Sequence, residues 1–458
     1  MQPPLDVIVL AAGQGKRMHS ALPKVLHPLA GKLLVEHVID AARSLSPRSI
    51  CLVYGHGGEP VRKALAAPDL EFALQDPPRG TGDAVRVAMK QLAIDGVTLV
   101  ILGDVPLVPL DSLEAIVAAA RRGHLGLLTA KVTDPRGLGR VLRDPYGHVR
   151  RIVEERDATA EQLAVDEINT GVMGAPTQAL VRWIGALKPD NAQREYYLTD
   201  VIGMAVADGV QVEAHRAADP RDVGGVNDRA QLAEAERILQ RRRADALLRD
   251  GTWIADPSRF DQRGTLACGR DVRIDVGCVF EGKVELGDGV SIGAYCVLRD
   301  IKVAAGTSIL PFSMLEGSSI GADCRVGPYA RLRPGSVLHD HVHVGNFVEL
   351  KASTLGPGAK ANHLAYVGDA VLGANVNFGA GAIIANYDGA NKHRTTIGDN
   401  AHIGSNCVLV APVQIGHDAT IGGGSTIARD APPAALTLTR AQQVTVEGWT
   451  RPVKAKKE

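Results

Sequence analysis

The stretch IGDNAHIGSNCVLVAPVQIGHDATIGGGSTI, residues 397–427, carries an aliphatic residue at every sixth position. The repeated positions are Ile397, Ile403, Leu409, Ile415, Ile421 and Ile427. A hexapeptide period is typical of a parallel β-helix, in which three hexads make one triangular coil of about 18 residues. We therefore expect these side chains to stack inward, while the glycines that follow several of them permit the turns at the corners.

The same six-residue step continues upstream, so the repeat covers most of the C-terminal half. The further inward positions are Phe280, Leu286, Ile292 and Leu298, then Ile320, Val326, Leu332, Leu338, Val344 and Leu350, then Leu372, Phe378 and Ile384. The register slips near residues 300, 316 and 355 and breaks over residues 385–396. This longer break predicts a protruding loop, and an insertion in a solenoid commonly marks the binding face.

The N-terminal half follows a different pattern, in which short apolar runs alternate with helical ones. Residues 7–10, 49–54 and 98–102 predict strands, whereas residues 34–43 and 82–92 predict helices. Such alternation is typical of a mostly parallel α/β sheet, whose ligands bind beyond the carboxyl ends of the strands. The segments that follow the first and third strands are therefore the candidates for a binding site.

Composition and the junction between the halves narrow the class of protein. Residues 229–250 contain neither glycine nor proline and predict a linker helix between domains at 1–228 and 251–458. The 51 basic residues balance the 51 acidic ones, so no net charge draws the chain to nucleic acid. Apolar runs fall short of the ~20 residues that a membrane span needs, and the six cysteines form no CxxC pair. We expect a cytoplasmic enzyme.

A glycine loop after the first strand is a candidate anion site. In LAAGQGKRM, residues 10–18, Gly13 and Gly15 let backbone N–H groups approach an anion, and Lys16 and Arg17 add positive charge. The loop is neither a Walker motif nor a GxGxxG motif, which disfavours a standard ATPase or dehydrogenase. An ordinary glycine turn is the alternative.

Two charged residues lie near this loop in the sequence or at the same edge of the sheet. Lys24 lies within reach of the same phosphates, although alone it is typical of a surface lysine. Asp104 follows the third strand, and a carboxylate beside a phosphate loop suits Mg²⁺, which prefers one or two protein oxygens plus phosphate. An aspartate that caps a turn is the alternative for Asp104.

The hexad register places a second group of polar side chains on the outside of the β-helix. Arg333 and Lys351 each follow an inward aliphatic and are 18 residues apart, so they stack on adjacent coils about 4.8 Å apart. Their repulsion requires compensation, either by acids such as Glu349 or by a bound phosphate. His363 is also outward and is a candidate general base for an amine nucleophile, since histidine titrates near neutral pH. A solvated surface histidine is the alternative.

Several longer motifs include the candidate residues named above. They are LAAGQGKRM, LPKVLH, GDVPL, EINTG and GVN, then RLRPG, HVGNFVELK, HLAYVGDA, NVNFGAG, NYDGANKH and GWTRPVK. With them the first half resembles the sugar-1-phosphate nucleotidyltransferases. Nearly the whole chain is similar to the family of bifunctional N-acetylglucosamine-1-phosphate uridylyltransferases/glucosamine-1-phosphate N-acetyltransferases. The resemblance implies a Rossmann-like nucleotidyltransferase domain, a linker helix and a left-handed parallel β-helix with a C-terminal tail.

The resemblance also implies the residues of the uridylyltransferase site. Leu10, Ala11, Ala12, Gly13 and Lys24 would hold the nucleotide, Gln75, Gly80 and Thr81 would contact uracil, Leu102, Gly103, Gly139, Glu154 and Asn169 would line or hold the sugar, and Asp104 with Asn227 would bind Mg²⁺. Leu102 stands where the family often has tyrosine, and Asp83 where it often has histidine. These departures affect specificity and affinity rather than the reaction.

For the acetyltransferase site the resemblance implies a catalytic base and two binding groups. They are His363 as base, Arg333, Lys351, Tyr366 and Asn377 for glucosamine-1-phosphate, and Ala380, Asn386, Tyr387, Ser405, Gly423 and Arg440 for acetyl-CoA. Gly423 replaces a commoner alanine, a change expected to be harmless. The family is trimeric, with each of these sites shared between subunits.

Two other functions compete with a two-site enzyme. In the first, the chain is a nucleotidyltransferase whose β-helix is only a platform for oligomerisation or allostery, which would need none of Arg333, Lys351 and His363. In the second, it is a nucleotide-sugar-sensing scaffold with degenerate sites, which the presence of Lys24, Asp104 and Asn227 disfavours. The two-site enzyme is the leading hypothesis, with UTP, acetyl-CoA and glucosamine-1-phosphate as substrates.

Overall fold

The computed structural model describes residues 2–13, 15–55 and 57–454, without the side chain of Lys16. The chain divides into two compact units, Met1–Leu239 and Gln240–Glu458. None of the helices in these ranges has the length and apolar character of a membrane-spanning segment.

The first unit is built on a mixed sheet flanked by helices. Its strands are β1 (Leu5–Leu10), β2 (Pro28–Leu29), β3 (Lys32–Leu33), β4 (Ser49–Gly55), β5 (Leu70–Gln75), β6 (Val97–Leu102), β7 (Leu125–Lys131), β8 (Arg140–Arg143), β9 (Val149–Val153), β10 (Glu167–Pro176) and β11 (Val212–Arg216). Its helices are α1 (Leu34–Ser44), α2 (Glu59–Leu65), α3 (Thr81–Met89), α4 (Leu110–Arg121), α5 (Ala160–Leu163), α6 (Thr177–Ala186) and α7 (Asp200–Ala207), and α8 (Arg229–Arg249) follows.

The main sheet has the strand order β11-β7-β10-β6-β1-β4-β5, with β8 and β9 beside β10. Strand β10 runs antiparallel to β6 and β7, whereas β1 runs parallel to β4 and β6. The prediction of a mostly parallel α/β sheet is confirmed. Because Leu10 and Leu102 are register partners, the loops after β1 and β6 lie side by side at the carboxyl edge.

Helices cover both faces of this sheet, which explains why its central strands are continuously apolar. Val7 and Leu99 pack into a core with Ile39 of α1 and Ile116 of α4. Their neighbours in the strands, such as Ile8, pack on the opposite side in a second core that includes residues of α3 and α6. The sheet is thereby a rigid support for the loops at its carboxyl edge.

The second unit is a parallel β-helix with three faces. Face 1 contains Trp253–Ile254, Arg273–Ile274, Ser291–Ile292, Ser308–Ile309, Arg325–Val326, His343–Asn346, Lys360–His363, Asn377–Phe378, His402–Ile403, Thr420–Ile421 and Leu436–Thr437. Face 2 contains Met314–Glu316, Arg331–Leu332, Glu349–Lys351, Tyr366–Gly368, Ile383–Ala385, Val408–Val410 and Thr426–Ile427. Face 3 contains Ser319–Ile320, Val337–Leu338, Thr354–Leu355, Ala370–Leu372, Thr395–Ile397 and Val413–Ile415, and the long strands Asp261–Cys268, Val279–Leu286 and Val297–Val303 bend from face 2 into face 3.

Most successive coils are stacked with a step of 17 or 18 residues, whereas the first step, from Trp253 to Arg273, is 20 residues and the last, from Thr420 to Leu436, is 16. Arg325 pairs with His343, a step of 18, and His343 pairs with Lys360, a step of 17. The step from Asn377 to His402 is 25 residues because the loop after Ala385 interrupts the repeat. The repeated aliphatic residues are buried along the whole unit, so the predicted hexapeptide β-helix is confirmed. The division into activities at residues 228 and 250 stays a prediction.

Candidate active sites

The first candidate site lies at the carboxyl edge of the sheet, where three predicted residues meet. The Lys24 ammonium donates to a carboxylate oxygen of Asp104 and, at 3.1 Å, to Asn227 Oδ1. Lys24 begins a short 3₁₀ helix and is buried, whereas Asp104 follows β6. The Asp104 and Asn227 oxygens thus converge on one positive charge, and oxygens are the ligands that divalent cations such as Mg²⁺ prefer.

The glycine loop after β1 is next to this cluster. The Ala11 N–H donates to Val53 O at 2.8 Å, and the Gly103 N–H donates to Leu10 O at 2.9 Å. The Ala11 amide is therefore committed to the fold, and free amides for an anion must come from further along the loop. Gly13 is exposed, with open space around it. Gln14 and the Lys16 side chain lie outside the described part of the chain.

The predicted uracil-contacting residues meet at the start of α3. Gln75, which ends β5, is buried, and its amide nitrogen donates to Gly80 O at 3.0 Å. Thr81 is the first residue of α3, and its Oγ1 accepts from the Leu198 N–H at 3.2 Å. Asp83, one of the two departures from the family pattern, also accepts from Gln75, at 3.2 Å.

The predicted sugar-binding residues come from strands β8 to β10 and their loops. The Asn169 N–H donates to Gly139 O at 2.9 Å, and Glu154 accepts from the Thr199 hydroxyl at 3.0 Å. Burial raises the pKa of Glu154, and the hydrogen bond from Thr199 opposes that shift. Its carboxylate lies against Gly139, where a Cβ would lie 3.3 Å from the carboxylate oxygens.

Leu102, the other departure from the family pattern, packs against Gly171. A Cβ on Gly171 would lie 2.6 Å from Leu102 Cδ1, and Gly171 has a φ of 82°. Glycine is therefore needed in the EINTG segment both for its backbone conformation and for the space that Leu102 fills.

The second candidate site lies on the β-helix, at the corner between faces 1 and 2. His363 ends a strand of face 1, and its Nδ1 lies 2.8 Å from Asn346 Oδ1 on the preceding coil. Because an amide oxygen only accepts hydrogen bonds, Nδ1 carries the proton and Nε2 carries the lone pair. This tautomer leaves the lone pair on Nε2, as a general base requires.

Cations and carboxylates cluster at the next corner, between faces 2 and 3. Arg333 pairs with Glu349 at 3.0 Å, and Lys351 pairs with Asp369 at 3.1 Å. Of the two alternatives for compensating the stacked cations, acids or a bound phosphate, the structure shows an acid beside each cation. The Asn386 amide donates to the same Asp369.

Lys392, from the loop after face 2, adds a third cation at this corner. The pKa of Lys392 is lowered mainly by its contact with Lys351. The pKa of Lys351 is raised by that contact and then by Asp369. Two lysines this close repel each other when both are charged, and a bound anion such as phosphate would relieve that repulsion.

Face 2 lies between the His363 corner and this cation corner. Tyr366 is a register partner of Glu349 on this face, between the two corners. Asn377 lies on face 1, where its amide nitrogen is 3.3 Å from His402 Nδ1. Tyr366 and the two corners form one continuous surface.

Beyond His363 the corner between faces 1 and 2 is lined by small residues. Ala380, Ser405 and Gly423 each follow an inward residue of face 1 by two positions, as His363 does. A Cβ on Gly423 would lie 3.3 Å from Ser405 O, so these two residues are stacked, as predicted from their spacing. The side chains at these three positions along the axis of the β-helix are therefore all small.

The remaining predicted acetyl-CoA residues lie in the loop and near the C-terminus. Asn386 is buried, whereas Tyr387 is exposed and donates to Gly389 O at 2.6 Å. The Arg440 guanidinium lies near Gly422, one position before Gly423. The loop residues 387–392 are exposed, so the predicted protrusion is confirmed.

Sequence reasoning missed three polar residues of these corners, Asn346, Asp369 and Lys392. Asn346 and Asp369 lie one coil from His363 and Lys351, 17 and 18 residues away, so a search at one coil length finds them. Lys392 has no such signal because it lies in the break of the repeat.

These two sites define the class of protein: a transferase with a nucleotidyltransferase unit and a hexapeptide β-helix unit. The MobA-like NTP transferase domain family matches residues 7–179, and the bacterial transferase hexapeptide family, with six repeats, matches residues 394–429. The GMPPB C-terminal domain family matches residues 263–357.

Relatives share nearly the full length of the chain. Proteins named Bifunctional protein GlmU are 55% identical over 454 residues in Ralstonia nicotianae (strain ATCC BAA-1114 / GMI1000), covering 99% of this chain and 100% of the relative, and 56% identical over 457 residues in Methylibium petroleiphilum (strain ATCC BAA-1232 / LMG 22953 / PM1), covering 98% and 99%. The chain belongs to the GlmU family of bifunctional proteins. The predicted membership of this bifunctional transferase family is confirmed.

Proposed function

We propose that the chain acetylates glucosamine-1-phosphate with acetyl-CoA and then transfers UMP from UTP to the product. This yields UDP-N-acetylglucosamine, a precursor of the cell envelope, and pyrophosphate. The observation that carries the proposal is that each compact unit has its own cluster of cations and polar groups, around Lys24 in the first and around His363 and Lys351 in the second.

In the uridylyltransferase site the sugar-phosphate oxygen attacks the α-phosphorus of UTP. A new P–O bond forms to the sugar phosphate, and the bond between the α-phosphorus and its bridging oxygen breaks to release pyrophosphate. Lys24 and the loop amides stabilise the charge that develops, while Glu154 and Asn169 hold the sugar. Such catalysis is mostly positioning and electrostatics.

Enzymes of NTP transferase families typically use a divalent metal ion, which here we assign as Mg²⁺. Asp104 and Asn227 would hold it, since their oxygens both contact the Lys24 ammonium and so lie close enough to share one cation. The ion would supply positive charge for the phosphate oxygens. Lys24 itself would then be free to contact phosphate.

In the acetyltransferase site the substrate spans face 2. The phosphate of glucosamine-1-phosphate lies at the cation corner with Arg333 and Lys351, and the amine lies near His363. The amine attacks the thioester carbonyl, His363 Nε2 takes the amine proton, and the CoA thiolate leaves and is protonated. The row of small residues Ala380, Ser405 and Gly423 suits the thin arm of acetyl-CoA because no bulky side chain stands at these positions.

We also propose a homotrimer, as the family resemblance implies. Support comes from an exposed ridge along the corner between faces 1 and 2, defined here as the aromatic ridge, Tyr295, Phe312, Tyr329 and Phe347, extended by Leu364. Successive ring centroids are 5.4, 5.1 and 5.2 Å apart, and each side chain is about half exposed or more. Covering this apolar surface favours association.

We place the enzyme in the cytoplasm, with its two cosubstrates.

The test is a reaction with glucosamine-1-phosphate, acetyl-CoA, UTP and Mg²⁺, following free CoA thiol and pyrophosphate separately. Both products should appear, with pyrophosphate dependent on acetyl-CoA. His363→Ala should abolish thiol release and spare pyrophosphate release from N-acetylglucosamine-1-phosphate. Asp104→Ala should abolish pyrophosphate release and spare thiol release. If the unmodified chain releases no thiol, the β-helix is only a platform. If Asp104→Ala changes the release of neither thiol nor pyrophosphate, the result fits a scaffold with degenerate sites.

A further inference from the structure

The Gln75 side chain is held by two acceptors. Its amide nitrogen donates to Gly80 O at 3.0 Å and to Asp83 Oδ2 at 3.2 Å. A backbone carbonyl and a carboxylate only accept hydrogen bonds, so the nitrogen, not the oxygen, must face them. Both amide hydrogens are thereby used, and Oε1 is the atom that Gln75 presents to a ligand.

Asp83 is itself fixed in place. It is the third residue of α3, where a carboxylate is favoured by the helix dipole, and its side chain is 14% exposed. Arg86 pairs with it at 3.2 Å and also donates to Ile184 O at 3.1 Å. The Arg86 guanidinium lies 4.3 Å from the centre of the Tyr196 ring. The carboxylate is thus anchored through Arg86 to α6 and to the segment before α7.

We propose that Asp83 is a positioning residue that makes the enzyme select uracil over cytosine. Uracil presents N3–H, a donor, whereas cytosine presents N3 as an acceptor. A Gln75 amide that is free to flip can satisfy either base, but one fixed with Oε1 outward accepts from uracil and opposes cytosine. The inference rests on the proposed function, in which Gln75 contacts the base of UTP.

The proposal predicts a change in the ratio of kcat/KM for UTP to kcat/KM for CTP. A loss of binding geometry alone lowers kcat/KM for UTP and CTP together and leaves their ratio unchanged. Loss of the Asp83 contact removes one of the two acceptors that oppose the flipped amide, so it raises the relative use of CTP. One hydrogen bond to a charged group corresponds to about a tenfold change in such a ratio.

The experiment measures kcat/KM for UTP and for CTP with N-acetylglucosamine-1-phosphate, following pyrophosphate, in full-length Asp83→Ala, Asp83→Ser and Asp83→Asn. The UTP/CTP ratio should fall about tenfold in the alanine and serine variants. The asparagine variant, which keeps an acceptor oxygen, should stay within about threefold of the unmodified chain. Asp69→Ala, which removes an exposed partner of Arg43, should not change the ratio.

Residual pyrophosphate release from UTP, together with a far-UV circular dichroism spectrum like that of the unmodified chain, reports whether the first unit of each variant is folded, and the serine variant replaces the alanine variant if that one is not. An unchanged UTP/CTP ratio in a folded Asp83→Ala or Asp83→Ser variant overturns the inference alone. If the unmodified chain releases no pyrophosphate from UTP, the proposed function fails instead.

Discussion

Asn346 and His363 are register partners on adjacent coils of the β-helix, and Asn346 Oδ1 accepts a hydrogen bond from His363 Nδ1 at 2.8 Å. The contact fixes both the ring orientation and the tautomer of His363. It also connects two segments, HVGNFVELK and HLAYVGDA, that the sequence motifs contain separately.

The first prediction follows from this contact. Asn346→Ala should lower kcat for acetyl transfer about tenfold, because part of the population then holds the proton on Nε2 and cannot act as a base. The rate of CoA thiol release at saturating substrates measures the effect. Uridylyl transfer by the same variant is the control and should not change. A change in the circular dichroism spectrum or the thermal unfolding of the variant would indicate a folding defect of the β-helix, and an unchanged kcat in a folded variant would contradict a role for the contact.

The second prediction concerns Lys24. Lys24→Met should lower kcat for uridylyl transfer about 10²- to 10³-fold, the usual effect of removing one group that stabilises transition-state charge. Pyrophosphate release measures this, with acetyl transfer as the internal control. Lys32→Met removes an exposed lysine that pairs with Asp40 and should leave both activities intact. A loss of less than about threefold in Lys24→Met would exclude a direct role in the chemistry.

The third prediction concerns the aromatic ridge. The double variant Tyr329→Asn and Phe347→Asn should shift the assembly from trimer to monomer, because it removes half-exposed apolar surface. Both positions have a positive φ, 56° and 55°, which asparagine tolerates. Sedimentation equilibrium gives the mass. Tyr146→Asn removes a ring that is 86% exposed in the first unit and should leave the assembly unchanged. A double variant with the mass of the unmodified chain would contradict the assignment.

The fourth prediction concerns the cysteines. Burial raises the pKa of Cys51 and Cys296 to about 12 and that of Cys278 to about 11. The thiolate is the reactive form, so at pH 8 only about one in 10³ to 10⁴ of these thiols is ionised. Native labelling with iodoacetamide should be slow at pH 8 and rise about tenfold per pH unit, whereas urea should expose all six cysteines. Mass spectrometry of peptides locates the label, and rapid native labelling of Cys51 at pH 8 would contradict the burial.

The repeat and the sheet were predictable because their signals are local. An inward residue of the β-helix recurs at a fixed chain distance, so Leu332 and Leu350 could be placed in the core, and Arg333 and Lys351 on adjacent coils, from spacing alone. The same spacing predicts the stacking of Ser405 with Gly423. Each of these placements depends only on the coil length.

The contacts of the first site were not predictable in this way. Lys24 and Asn227 are 203 residues apart, and no period connects them. Their meeting depends on the pairing of β1 with β6 and on the path of the chain back to the carboxyl edge. The sequence indicated Lys24 through the neighbouring glycine loop and Asn227 only through a family motif, and it indicated no partner for Asp83.

The sequence by itself determined the two architectures, the inward-facing residues of the β-helix and the family membership, because periodicity and long motifs are properties of the chain. Only the tertiary structure decided which side chains hold one another: Asn346 with His363, Asp369 with Lys351, and Asp83 with Gln75. The physical reason is that hydrogen bonds and ion pairs require atoms within about 3 Å. A period of six residues fixes the strand on which a side chain lies, but the final distances depend on how the coils, corners and loops pack.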